Sequence, residues 1–144
     1  TGASVRLSVT RGSTMSELIL ALCAALAGGG GAVLRHVVDL AATKWWLRRG
    51  GTGSLPVGQL IVNVSGSLLI GLLAGVVAAE HAAHVIVGAG LLGGYTTFSA
   101  ASYRTVQLLR RRHVGWAALV GFGQLIVAVA AAGCGLWLGV LISG

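Results

Sequence analysis

The chain has 144 residues, 56% of them hydrophobic and 9% charged, with a mean hydropathy of +0.90. Soluble domains carry about 25% charged residues, so the composition excludes a soluble globular protein and points to an integral membrane protein. A formal charge of +7 would suit nucleic acid elsewhere. Here the cations lie in short connectors between apolar runs, where they read as topology signals and headgroup contacts, and no nucleic-acid partner is expected.

In chain order, residues 1–14 are polar, with Arg6 and Arg11, and read as an upstream extension, an expression remnant or a disordered tail. A span needs about 20 mainly apolar residues, and four such runs follow, forming one four-helix membrane domain over residues 15–144. The first runs from about Ser16 to Leu40, behind a helix start at Ser16 and Glu17. The second runs from about Leu55 to Ala79 and the fourth from about Val114 to Ile142. The third, about Ala83 to Leu109, is broken near Gly93–Thr97. Between the first two spans, the connector from Thr43 to Ser54 sets Trp45 and Trp46 beside Lys44, Arg48 and Arg49, as at a headgroup level. The pairs Gly71/Gly75 and Gly135/Gly139 have the small-xxx-small spacing of close helix contacts, a spacing also frequent by chance in a glycine-rich chain. Cys23 and Cys134 lie in apolar runs without metal or disulfide spacing and read as small packing residues.

Four spans put the 41–54 and 110–113 connectors on one face. That face collects Lys44, Arg48, Arg49, Arg110, Arg111 and Arg112, against Arg6 and Arg11 at most on the other. The positive-inside rule places the basic connectors in the cytoplasm, with both termini and the Glu80–His84 turn outside.

The run Gly93-Gly94-Tyr95-Thr96-Thr97-Phe98-Ser99 sets two glycines, a tyrosine and three aliphatic hydroxyls inside an apolar span. Loosened backbone at that depth is tolerated only where it is buried in protein or lines a cavity. Asn63 and Ser67, four apart, share one face of the second span. They suit either interhelical glue or donors lining a permeation path. Phe98 is either packing or an aromatic edge which, with Thr96, Thr97, Ser99 and Ser102, favours a small anion. Carbonyls freed by a helix break suit a hard cation such as Na⁺. Arg35 and Asp39 read as an intrahelical pair or as a vestibule that attracts anions. His81 and His84 beside Glu80 lack a third ligand and read as a solvated turn. No intramembrane acid–base pair, nucleophile triad or phosphate loop converges, so an enzyme is not expected.

Together GGGGAVLRH at 28–36, VNVSGSLLIG at 62–71, LLGGYTTFS at 91–99 and LWLG at 136–139 resemble the Fluc (CrcB) fluoride channels over almost the whole chain after Met15. The resemblance implies two subunits packed antiparallel in a bacterial-type inner membrane, a structural Na⁺ at the two-fold centre, and passive export of fluoride through two pores. By position it assigns Na⁺ to the backbone carbonyls of Gly93 and Thr96, and fluoride to Asn63 and Phe98, with Thr97, Ser99 and Ser67 beside them. Arg35 matches the arginine associated with the vestibule.

Two residues depart from that pattern. Ala101 stands where a second pore phenylalanine belongs, and Arg104 where an acidic residue is common. An antiparallel homodimer needs nearly balanced connectors, whereas these are lopsided. The lopsidedness favours one half of a heterodimer with a homologous subunit over a homodimer. Rival readings are a non-conducting or partly degenerate partner subunit, and a small multidrug-type transporter, for which a membrane-embedded carboxylate is missing.

Overall fold

The computed structural model describes residues 2–51, 55–77 and 81–144, with side chains from Thr14 onward. The expectation for residues 1–14 falls mostly on side chains outside that set, as does Glu80. No strand occurs among the described residues. Four helical stretches are long and apolar enough to cross a membrane: Thr14–Arg48, Val57–Val76, His84–Arg110 and Val114–Ser143. We refer to them as the first to fourth spans.

The first span belongs to a helix, Gly2–Arg48, that carries on well past Leu40. The first half of the expected 43–54 connector, Thr43–Arg48, is therefore helical, a correction to the sequence reading. Nothing between Leu40 and Arg48 breaks a helix, and Trp45 and Arg49 stack there, the guanidinium 4.7 Å from the ring centroid. The helix stops where Gly50 adopts φ +80° and the Gly51 N–H reaches back to the Trp46 carbonyl at 3.0 Å, a left-handed ending that glycine favours.

Glycine contacts hold the spans together. A Cβ at Gly71 would strike the carbonyl of Ala132, and one at Gly135 that of Leu68. A Cβ at Gly75 would lie 2.8 Å from the Gly139 Cα. Both small-xxx-small pairs thus face each other across the second and fourth spans, where backbones must approach because lipid supplies no hydrophobic force. The first and third spans meet in the same way, with Gly31 against the Leu91 carbonyl and Gly94 against that of Gly28. Val62 is fully buried, whereas large apolar side chains such as Leu22, Leu26, Ile126 and Ile142 face outward, as expected in lipid. Cys23 and Cys134 are exposed rather than packed, since the contact faces are taken by glycine.

The third span is interrupted. It enters as a π-helix, His84–Leu92, continues through Gly93–Tyr95 and restarts at Phe98–Arg110. Thr96 and Thr97 between them are extended (ψ 156° and 113°). The break is therefore present, and confined to two threonines. The fourth span consists of Val114–Ala118, a π turn Leu119–Gly123 and Gln124–Ser143.

Candidate functional site

Two consecutive extended residues strip a helix of several rungs, and the chain compensates with side chains. The Thr97 N–H, which an unbroken helix would give to the Gly93 carbonyl, goes instead to Asn63 Oδ1 at 2.8 Å. Asn63 Nδ2 donates in return to the Thr97 carbonyl at 2.9 Å. The Ala100 N–H, which would have reached the Thr96 carbonyl, donates to Thr97 Oγ1 at 3.3 Å, so Thr97 caps the restarted helix. Both Asn63 and Thr97 are buried.

The carbonyls of Gly93 and Thr96 are thus two of those that lose a helical donor at the break. Gly93 is exposed on the monomer surface and Thr96 half-buried, while the Thr96 hydroxyl turns back to the Leu92 carbonyl at 3.1 Å. Carbonyl oxygens without ladder donors suit a hard cation. On donor chemistry, these residues fit the expected Na⁺.

Around the break, Gly66 leaves room for Tyr95 and Thr96, since a Cβ there would lie 3.0 Å from the Tyr95 ring. The buried Tyr95 hydroxyl shares a hydrogen bond with Ser65 Oγ at 3.0 Å. Thr97 Oγ1 and Ser99 Oγ are 3.2 Å apart. Thr97 and Ser99 line a cavity of about 590 Å³ together with Arg35, His36, Asp39 and Gln59.

Of the residues expected at the site, Thr97, Ser99 and Arg35 line this one cavity, and Asn63 adjoins it through its bonds to Thr97. Arg35 and Asp39 both face the cavity, and no ion pair joins charged side chains among the described residues. The intrahelical pair is thus replaced by two charges exposed to a common space. Phe98 is not brought there. Its ring is 80% exposed and lines an apolar groove with Ala101, Thr105 and Phe122. Ser67 is half-buried one turn beyond Asn63, outside the cavity lining. His84 Nδ1 lies 3.2 Å from the Val77 carbonyl, a contact within the turn.

One buried pair was not anticipated. Gln59 Nε2 donates to Gln124 Oε1 at 3.3 Å across the second and fourth spans, and Gln124 Nε2 has no partner. Gln59 stands four residues before Asn63 on the same helix face, a spacing that could have flagged it.

The profile described as "CrcB-like protein, Camphor Resistance (CrcB)" matches residues 22–136, spanning the glycine-rich first helix, Asn63 and the break. The chain belongs to the CrcB-like family. Its relatives include "Fluoride-specific ion channel FluC 1" of Leifsonia xyli subsp. xyli, 43% identical over 129 residues, which cover 87% of this chain and 89% of that protein. "Fluoride-specific ion channel FluC 2" of Nitrobacter hamburgensis is 41% identical over 77% of this chain and 89% of its own length. "Fluoride-specific ion channel FluC" of Novosphingobium aromaticivorans is 40% identical over 82% and 90%. This CrcB-like chain is a multi-pass membrane protein.

Proposed function

We propose that the chain is a subunit of a fluoride-selective channel, not an enzyme, that lets fluoride leave the cytoplasm passively across the inner membrane. The observation that carries the reading is the lock between Asn63 and Thr97. It holds a helix break open at mid-span and leaves polar groups beside a cavity that Arg35 and Asp39 both line. The names of the relatives point to the same ion.

Fluoride is small and strongly hydrated, and stripping an ion of water costs tens of kcal/mol in the Born limit. A path must replace those hydrogen bonds yet hold the ion loosely enough to release it. Neutral donors meet both demands. Asn63 has a second Nδ2–H beyond the one given to Thr97, and the hydroxyls of Thr97 and Ser99 can rotate toward an anion. A full positive charge at the narrowest point would trap the ion, and the cation Arg35 stands instead at the cavity. Phe98 and Ser67, outside that cavity, would reach the ion only where a second subunit closes over them.

The second subunit would pack in the opposite orientation, its exposed Gly93 and half-buried Thr96 meeting those of this chain around one Na⁺. That ion would supply charge to offset the diverted carbonyls and clamp the pair together. The lopsided basic connectors favour a homologous partner over a second copy, because each orientation then has its own chain. The two connectors lie at one end of the molecule, as Pro56, Arg111 and His113 share a cavity there; by the positive-inside rule that end is cytoplasmic. A partly degenerate, non-conducting role in such a pair is the second reading, favoured by Ala101 in the Phe98 groove.

The test is fluoride-electrode efflux from liposomes, with the chain alone and with a co-purified homologue. Efflux in either preparation, abolished by Asn63→Leu, supports the channel. Absence of fluoride flux in both overturns it. Flux that persists when Asn63 and Phe98 are replaced in this chain alone would leave it the non-conducting partner.

A further inference from the structure

Three cavities follow one another from the basic connectors to the helix break. The outermost, about 460 Å³, is lined by Pro56, Arg104, Gln107, Arg111, His113 and Trp116 among others. A smaller one of about 230 Å³ shares Pro56 and Arg104 with it and adds His36, Asp39 and Gln59. Those last three in turn line the 590 Å³ cavity that ends at Thr97 and Ser99. Arg104 is the charged side chain common to the first two. Along the sequence of cavities the formal cations are Arg35, Arg104 and Arg111 and the single carboxylate is Asp39, with His36 and His113 the other titratable groups.

We infer that Arg104 is an anion-gathering charge at the mouth of this route, setting how fast fluoride enters rather than which ion is chosen. The inference rests on the proposed channel function and adds a residue to it. A service to lipid headgroups is already met by Arg110, Arg111 and Arg112, and Arg104 stands six residues before the first of these. At a rise of 1.5 Å per residue that is about 9 Å deeper along the helix. A cleft lined by one sign of charge with low-dielectric walls raises the local concentration of its counter-ion. Placed short of the narrow part, such a charge attracts fluoride without having to release it from a tight site. With Asp39 opposing it across the cavity they share, Arg104 offsets that carboxylate and leaves Arg35 and Arg111 as the net positive charge of the route.

The experiment is fluoride efflux from liposomes, in whichever assembly conducts, at low ionic strength and again with impermeant gluconate added. Screening shortens from about 30 Å at 0.01 M to about 10 Å at 0.1 M, so a steering effect must fade with salt. Arg104→Gln is expected to slow efflux roughly 3- to 10-fold at about 10 mM salt and less than about twofold at 0.3 M, within the range for focused fields. Arg104→Glu slows it further, Arg104→Lys matches the parent, and Asp39→Asn speeds low-salt efflux. Parent-like low-salt efflux by Arg104→Gln, or an equal loss at both salts, overturns the inference while leaving the channel standing. If Arg104→Gln fails to assemble, Asp39→Asn without a low-salt gain overturns it. A parent protein that moves no fluoride at all removes the channel reading and this inference together.

Discussion

Asn63 and Thr97, on different spans and 34 residues apart in sequence, form a reciprocal pair in which one side-chain amide replaces a missing rung of backbone. Its two bonds of 2.9 and 2.8 Å do at mid-span what the next turn of a helix would otherwise do. The break is thus a built feature, held from outside its own span.

Removing that amide should be severe. Asn63→Leu leaves a buried N–H and a buried carbonyl of Thr97 without partners, at about 1–3 kcal/mol each. We expect a lower unfolding temperature in detergent, read by tryptophan fluorescence, and a loss of fluoride efflux of at least about a hundredfold. The flux loss should exceed what the stability loss explains, a separation seen by assaying well below the unfolding transition.

The facing glycines give a prediction about assembly of the fold alone. Gly135→Val puts a side chain into the Leu68 carbonyl and should cause aggregation during size-exclusion chromatography. Overpacking of a tight contact costs about 1–3 kcal/mol or more. Gly133→Ala, two residues away with nothing within 4 Å of its added carbon, should elute and melt like the parent. Equal behaviour of the two variants would contradict the close approach of the second and fourth spans.

The proposed Na⁺ site predicts a dependence on the buffer. Purification with N-methyl-D-glucamine in place of Na⁺ should lower thermal stability, and readdition of Na⁺ should restore it. A ligand at 100 times its Kd contributes about 2.7 kcal/mol, enough to move a melting transition by several degrees. An ion trapped too tightly to exchange would show instead as sodium carried through dialysis, measurable by elemental analysis.

Charge balance predicts orientation. Single introduced cysteines at Ser143, in a background with Cys23 and Cys134 replaced by alanine, should react with an impermeant maleimide from one side of intact cells only. Neutralising Arg110, Arg111 and Arg112 together should give labelling from both sides, since those residues carry half of the connector bias. Two-sided labelling of the parent would favour a homodimer instead.

Span number, the location of the break and the spacing of the glycine motifs are legible because each rests on local pattern: length of apolar run, hydroxyls inside it, spacing of four; that the two glycine pairs meet each other is not. The length of the first helix was misjudged, since tryptophans and cations mark a membrane boundary whether or not the backbone keeps turning. The exposure of Phe98 depends on which way a helix is rotated against its neighbours, a property no single segment contains. Cys23 and Cys134 were misplaced for a related reason: in lipid, being apolar does not mean being inside. Gln59 carries a local cue in its spacing of four from Asn63, but its pairing with Gln124, 65 residues away on the fourth span, is in no local pattern.

Gly93 is open to the outside of a lone subunit, its carbonyl relieved of the helical donor. In hydrocarbon an unsatisfied backbone group costs several kcal/mol. A solitary copy adrift in the bilayer would therefore carry that penalty until another subunit covers it. In the proposed pair, covering Gly93 would couple assembly to folding, and a chain left unpaired would stay open to membrane proteolysis.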